Sequence, residues 1–423
     1  MGVVEEEGVE EVEVSVLLPV HNALPWLADA VGCVLAQRDV RLELIAVDDR
    51  STDGSREWLL ACAAALEQRR AAPAQCSSEP CCYDTVVEEA LAGRVPWQAE
   101  ACVPRSPAEV AALACPTCSL RVLSVSPAGC SGQGLALNTA LSVACGLLVG
   151  EHEADDLRPP HAFALMRDAL AKHPHWDGVT SRVVLGGSQQ EGMQRWVDWQ
   201  NTVGVGGPAE MAFSRFIEIP AMRAAGLYRR RALASLGARP YRDLWPSSPG
   251  GAVVDLAAPE GCEGAQQPGW WPVDSDFFGA WFDGGLTLGK LPAALYVWRQ
   301  YPQQSTRTHS RCALERLRAC KAHFLVQPAG GPAAAAAAMG GTAHLELWAC
   351  GSTLDDWTRD LRAAGARVCP VRWRPGDPAP LLPPQQGCCA VRLWAFGMEK
   401  ARQRVRASAP GGFEEGGRDW FIA

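Results

Sequence analysis

The first apolar run of the chain, Val14-Ser15-Val16-Leu17-Leu18-Pro19-Val20, is nearly continuous and is stopped by Pro19 and Asn22. A run without alternation predicts a strand buried on both faces, and hence a parallel sheet. Pro25 then opens a segment in which Leu27, Ala30, Val31, Val34 and Leu35 recur at steps of three and four, the pattern of a helix with one apolar face. Residues 42–47 form the next buried run and complete a right-handed βαβ unit. A second helix is expected over 56–67, opened by Asp53-Gly54-Ser55 with Asp53 or Ser55 as its N-cap.

From about 70 to 119 the periodicity is lost and Ala, Pro and Cys take over, which reads as a surface insertion, partly disordered, between core elements. Leu120-Arg121-Val122-Leu123-Ser124-Val125 restores a strand, a helix follows over 135–145, and a short strand over 147–149. Further elements are a helix over 160–173, a strand over 178–185, and a second Gly/Pro-rich interruption at about 243–269. The expected organisation is an acidic disordered start (1–12), a main domain (13–326), an Ala/Gly linker (327–342) and a small α/β domain (343–423). In that last domain a strand begins near His344, a helix covers 354–364, and strands cover 368–373 and 389–393. The fold class is α/β, with a Rossmann-like, mostly parallel sheet covered by helices on both faces.

At 423 residues and 48% hydrophobic the chain can bury one large core with room for a second, smaller one. Its net charge of −8 argues against a general nucleic-acid binder. No secretory signal pattern is visible, and no apolar run approaches the ~18 residues of a membrane span, so a soluble cytoplasmic protein is expected. With 17 cysteines, an odd number, reduced thiols are the expectation. Cys115-Pro116-Thr117-Cys118 has the spacing of half a zinc site, with Cys76, Cys81, Cys82 or Cys102 as conceivable partners; a reduced Ala- and Cys-rich insertion is the alternative.

Two acidic clusters follow strands, the position at which open α/β sheets bind ligands. Asp48 and Asp49 can accept hydrogen bonds from a ribose hydroxyl or from a uracil N3–H, although one carboxylate could instead cap the turn, Asp53 above all. Glu153 and Asp155 can reach one divalent cation, and their oxygens suit Mg²⁺ or Mn²⁺; a solvated acidic turn is the alternative.

Four segments in order, Leu17-Leu18-Pro19-Val20-His21-Asn22, Val47-Asp48-Asp49-Arg50-Ser51-Thr52-Asp53-Gly54, Gly134-Leu135-Ala136-Leu137-Asn138 and Glu153-Ala154-Asp155-Asp156, resemble the motif series of family-2 glycosyltransferases with a GT-A fold. More narrowly, residues 19–27, 301–309 and 415–420 resemble the β-1,3-N-acetylglucosaminyltransferase-like protein 1 group. The resemblance implies inverting transfer from a UDP-sugar, UDP-N-acetylglucosamine in the narrower group, to a glycan or other hydroxyl acceptor. It implies donor roles for Pro19, Val20, Asn22, Asp48, Asp49 and Ser51, a pocket lined by Gly134 and Asn138, and a metal role for Asp155.

This chain departs from the family pattern in several places. Glu153 stands where an aspartate is usual. Leu137 replaces a basic residue, for which Arg121 or Arg158 could compensate. The segment Trp270-Trp271-Pro272-Val273-Asp274-Ser275-Asp276 matches the one that carries the general base, which makes Asp274 the implied base and Asp276 the reserve, with Val273 in place of a glutamate. In Trp298-Arg299-Gln300-Tyr301-Pro302, Tyr301 stands where a histidine is common, and Arg299 is the implied diphosphate clamp. His309 is read as a surface or core histidine. Trp196, Trp199, Trp270 and Trp271 are candidates to stack on an acceptor sugar. A nucleotide-sugar-binding or scaffold protein without catalysis is the rival reading; a nucleotidyltransferase lacks support because no lysine-containing glycine-rich loop follows the first strand.

Overall fold

The computed structural model describes residues 11–71, 105–125, 132–187, 191–243, 271–327, 331, 332, 335, 344–378, 390–415 and 418–423. The expected disordered start, most of the first insertion, nearly all of the second and most of the linker lie outside the described residues.

The opening run forms β1 (Val14–Val20), with six of its seven residues buried. Helix α1 (Leu24–Leu35) follows, with Pro25 in its first turn, and β2 (Leu42–Asp48) is buried throughout. Helix α2 spans Ser55–Ala71. Within the expected insertion the structure places another helix, α3 (Pro107–Leu113), held by a capping box between Ser106 and Glu109. Its Val110 and Ala111 join the main core. The insertion reading therefore fails for 105–119: about two alanine-rich turns of helix carry too short an apolar stripe to register as periodic.

Strand β3 begins at Cys118 and runs to Ser124, followed by α4 (Gln133–Ser142) and β4 (Leu148–Glu151). Helix α5 (Ala162–Lys172), β5 (Gly178–Gly187), α6 (Glu191–Thr202), β6 (Leu227–Arg229), α7 (Val273–Asp283) and β7 (Leu288–Gln300) follow in chain order. The seven-stranded sheet has the order β3-β2-β1-β4-β6-β5-β7. Pairs β2/β3, β1/β2 and β1/β4 are parallel, whereas β6 runs antiparallel to β4 and β5. This is the expected mostly parallel sheet. Chain order reverses at β1, whose neighbours are β2 and β4, and the crevice at the carboxyl ends beside such a switch point is where ligands bind. At Gly150 an added Cβ would lie 2.5 Å from Phe163, so β4 needs a glycine for α5 to pack on it.

A second, four-stranded sheet in the order β11-β10-β8-β9 is parallel in every pairing. It contains β8 (His344–Ala349), β9 (Arg367–Arg372), β10 (Ala390–Ala395) and β11 (Asp419–Ile422). The sequence reading contained no counterpart of β11 or of the helix over Glu399–Ser408.

The chain divides into two compact units, one of residues 1–197, 224–234 and 291–301, the other of 198–223, 235–290 and 302–423. That division does not follow the expected boundary at 327–342. The reason is packing: Phe324 and Leu325 on α8 (Leu314–Val326) share one core with Leu345, Leu347 and Trp357 of the C-terminal sheet and with Trp271 and Phe216.

Candidate active site

Asp48 ends β2, and the loop beyond it is stapled to the loop beyond β1. Asp49 N–H donates to the Val20 carbonyl at 2.7 Å, Asn22 N–H to Ser51 Oγ at 2.9 Å, and Thr52 N–H to Asn22 Oδ1 at 2.8 Å. Asp53 links both: its Oδ2 accepts from Leu24 N–H and its Oδ1 from the backbone and hydroxyl of Ser55. Of the two expected caps, Asp53 is the one whose side chain accepts from the first backbone N–H of α2, and Ser55 is that helix's first residue. Asn22 and Arg50 adopt positive φ (50° and 60°), which Asn tolerates and Arg does not, so the tight turn after the Asp48-Asp49 pair is held against a backbone cost of about 1 kcal/mol.

Of the expected donor residues, Pro19, Val20, Asn22, Asp48, Asp49 and Ser51 all lie on these two strand ends. Gly134 and Asn138 lie on α4, one turn apart and hence on one face. The start of α4 joins the two acidic clusters. Gly132 N–H donates to Asp49 Oδ2 at 2.7 Å, and the amide of the next residue, Gln133, donates to both oxygens of Glu153 at 2.7 and 2.9 Å. Asp49 is 6% exposed, and burial pushes its carboxyl up from the usual range against the pull of the Gly132 N–H.

The second cluster follows β4. Asp155 is partly exposed and accepts from the Tyr301 hydroxyl at 2.7 Å; burial raises its carboxyl, opposed by that hydrogen bond. Asp156 is buried and accepts from the Tyr296 hydroxyl at 2.7 Å and from Arg299 N–H at 2.8 Å. Burial and then the neighbouring Asp155 push its carboxyl well up. Glu153 and Asp155 fit a hard divalent cation: both are partly exposed carboxylates on one turn, and Mg²⁺ commonly takes one or two carboxylates, the rest of its shell being waters and substrate phosphates. Among the described residues no group of three or more His, Cys, Asp and Glu forms a fuller metal cage.

Several expectations are corrected here. Arg299 is fully buried, pairs with Asp29 at 3.2 Å and stacks over Trp26 at 4.7 Å. Its guanidinium is therefore a structural tie rather than a presented diphosphate clamp, and its charge acts on the site by lowering the Asp155 carboxyl. Arg158 does not compensate for Leu137: it is buried between the rings of Phe163 and Tyr296 and donates to the Glu151 and Ala224 carbonyls. Arg121 is spent on the Val143 carbonyl at 2.9 Å and Glu43 at 3.5 Å. Trp271 is fully buried and donates to Asp276 at 2.6 Å, which removes it as a stacking platform. Trp270 lies outside the described residues, and Trp196 packs edge-on against Trp298. Trp199 lines a cavity of about 550 Å³ with Phe213, Glu210 and Arg402.

In the second unit, Asp274 sits in the first turn of α7, whose N-cap is Pro272. Its side chain is 45% exposed and pairs with the buried Arg223 at 2.7 Å. Asp276 is completely buried between Arg242 and Trp271, so the reserve base is a core ion pair. His309 is half-buried and caps a short turn by accepting from Arg311 N–H.

The partners Gln133, Tyr296, Arg223 and Asp29 were not singled out in the sequence. None of them carried a signal: Asp29 lies opposite the apolar stripe of α1, and the partners of all four lie far off in the sequence.

Residues 15–71 match the model of the family described as Glycosyl transferase family 2. With the sheet order, this match defines the fold class as the GT-A nucleotide-diphospho-sugar transferase type. Solved structures similar to the chain include S. aureus TarS, at 13% identity and TM-score 0.42, over 75% of this chain and 40% of that one. TarS 1-349 in complex with UDP-GlcNAc matches at 13% identity and TM-score 0.42, over 75% of this chain and 67% of that one. The mannosyltransferase PcManGT from Pyrobaculum calidifontis in complex with GDP-Man and Mn²⁺ matches at 17% identity and TM-score 0.38, over 75% and 63%. The chain thus spans less than half the length of the first of these. No curated protein matches the chain. Among the described residues no helix is long and apolar enough to cross a membrane.

Proposed function

We propose that the chain is an inverting glycosyltransferase that moves a sugar, N-acetylglucosamine by the motif resemblance, from a UDP-sugar to an acceptor hydroxyl. The observation that carries this reading is the junction at the start of α4, where Gly132 binds Asp49 and Gln133 binds Glu153. One short segment thereby contacts both Asp49, the proposed nucleoside-binding carboxylate, and Glu153, a proposed cation ligand, which supports the reading. The ten-residue helix that starts there offers its N-terminal N–H groups to a diphosphate.

In this reading Asp48 and Asp49 accept hydrogen bonds from the nucleoside, while Asn22 and Ser51 hold the two loops in register around it. Glu153 and Asp155 would hold Mn²⁺ or Mg²⁺, which as a Lewis acid neutralises charge on the departing diphosphate. Asp274 is the proposed base: it takes the proton of the acceptor hydroxyl as that oxygen bonds to the anomeric carbon and the bond to UDP breaks. Attack opposite the leaving group inverts the anomeric centre.

A second reading, a nucleotide-sugar-binding protein without turnover, is favoured by the Gln133 amide on both oxygens of Glu153 and by Tyr301 on Asp155. UDP release from UDP-N-acetylglucosamine, measured with Mn²⁺ and a panel of saccharide acceptors, separates the two. Acceptor-dependent release supports transfer. Saturable UDP binding without release under any of these conditions supports the second reading, and absence of UDP binding overturns both.

A further inference from the structure

Cys115 and Cys118 flank Pro116 and Thr117 between α3 and β3. Cys118 N–H donates to the Cys115 carbonyl at 3.0 Å, closing a four-residue turn. Such a turn keeps its end Cα atoms within about 7 Å, and a disulfide spans about 4.4–6.8 Å. The turn is fastened to the connection between α1 and β2: Cys115 N–H donates to the Leu35 carbonyl at 2.7 Å and Thr117 Oγ1 to the Val40 carbonyl at 3.0 Å. The two thiols are unequal, Cys118 being fully buried and Cys115 partly exposed.

Two arginines brace the turn through carbonyls in and just before it, and the charge of Asp39 opposes a thiolate at Cys115. Arg69 Nη1 donates to the Ala111 and Ala114 carbonyls at 2.9 and 2.5 Å, covering the negative end of α3 that would otherwise oppose a thiolate. Arg70 Nη2 donates to the Pro116 and Cys118 carbonyls at 3.4 and 3.1 Å. The Thr117 hydroxyl lies 3.1 Å from the Cys115 sulfur.

We infer that Cys115 and Cys118 form a thiol–disulfide redox centre, Cys115 attacking and Cys118 resolving, which exchanges with a low-molecular-weight disulfide. The neighbouring Cys118 side chain, and with it the Thr117 side chain and backbone, brings the Cys115 thiol down to about 5, against burial and the charge of Asp39. The Cys115 side chain and burial hold the Cys118 thiol well above its usual range, and its Sγ–H faces the Gln37 carbonyl at 3.7 Å. That asymmetry between a partly exposed attacker and a buried partner is what exchange at a Cys-x-x-Cys turn requires. The Cys115 thiolate attacks one sulfur of the small disulfide, forming a mixed disulfide and releasing the first small thiol. Cys118 then loses its proton, attacks the Cys115 sulfur and expels the second. The protein gives up two electrons and two protons, and the small disulfide becomes two thiols.

Peptide 106–121, released by trypsin after Arg105 and Arg121, contains Cys115 and Cys118 and no other cysteine. The full chain is equilibrated with excess oxidised glutathione, alkylated, cleaved and mapped by mass spectrometry. The peptide is expected to lose two hydrogens and resist alkylation until a reductant is added. Cys118→Ser is expected to trap glutathione on Cys115, and Cys115→Ser to leave Cys118 unmodified, with circular dichroism verifying that both variants fold. At about pH 6, Cys115 is expected to alkylate at least tenfold faster than the exposed Cys145. Equal alkylation rates, pairing of either thiol with another cysteine, or a glutathione adduct on Cys118 in Cys115→Ser would overturn the assignment. So would stoichiometric zinc retained by the reduced chain and lost in Cys115→Ser.

Discussion

The Tyr301 hydroxyl donates to Asp155 Oδ2 at 2.7 Å, while the Tyr301 ring lies 4.9 Å from that of Trp26. A tilted contact with Trp26 on α1 holds the ring, and the phenol in turn orients one oxygen of the proposed cation ligand. Removing such an orienting partner typically costs about 10- to 100-fold in metal affinity. Tyr301→Phe is therefore expected to weaken Mn²⁺ binding by at least the lower figure in a calorimetric titration. Tyr301→His, which replaces an acidic donor with an imidazole ligand, is expected to bind Mn²⁺ more tightly than Tyr301→Phe. Equal affinities for all three chains would remove Asp155 from the cation site.

Asp49 is placed by the Gly132 N–H at 2.7 Å. Asp49→Asn keeps the shape and removes the charge, and hydrogen bonds to a charged group contribute about 1.5–3 kcal/mol. UDP affinity should fall by about ten- to a hundredfold with the melting temperature little changed. A variant that binds UDP like the parent would show that Asp49 serves the loop and not the nucleotide.

Loss of a general base lowers turnover by about 10²- to 10⁴-fold. Asp274→Asn should show that loss in acceptor-dependent UDP release while UDP affinity stays within about twofold of the parent, because donor binding does not use this residue in the proposed mechanism. Since Arg223 is buried against Asp274, thermal unfolding must accompany the assay. Full turnover in Asp274→Asn eliminates it as the base.

Asp283 is pushed up to about 6 by burial, against the pull of Arg215 at 2.7 Å. An unfolded aspartate titrates near 3.9, so between about pH 4 and 6 the folded state binds more protons than the unfolded one, and this group's contribution makes stability fall as pH rises through that window. Asp283→Asn should flatten that part of the profile of urea midpoint against pH, even though it weakens the pair with Arg215. An unchanged slope would show that Asp283 titrates normally.

Asp419 on β11 is fully buried and accepts from Arg392 Nη2 and Trp394 Nε1, each at 2.7 Å, and from Glu414 N–H at 2.8 Å. Asp419→Ala leaves a buried guanidinium without its counter-charge, a change that costs about 3–5 kcal/mol. Urea unfolding monitored by tryptophan fluorescence should show the loss through Trp394. A change below about 1 kcal/mol would mean that Arg392 finds equivalent partners, contrary to its buried position.

The sequence by itself determined the first βαβ unit and the two acidic strand ends, because consecutive residues carry both the apolar pattern and the breakers that bound it: β1, α1 and β2 fall where the pattern of 14–47 puts them. The mostly parallel sheet followed from runs buried on both faces. Only the tertiary structure decided that α3 belongs to the core, since Val110 is buried by neighbours and not by a recognisable stripe. It also decided that Arg299 and Arg158 are internal ties. Their charge suggested ligand contact, but a guanidinium is spent where carbonyls, carboxylates and rings converge on it, and Asp29 lies 270 positions from Arg299. The same holds for the acidic clusters: the sequence supplied Asp49, Glu153 and Asp155, and packing supplied Gly132, Gln133 and Tyr301 to orient them. Local periodicity is encoded by neighbours along the chain, whereas the partner of a buried polar atom is chosen by which strands and helices come to lie beside it.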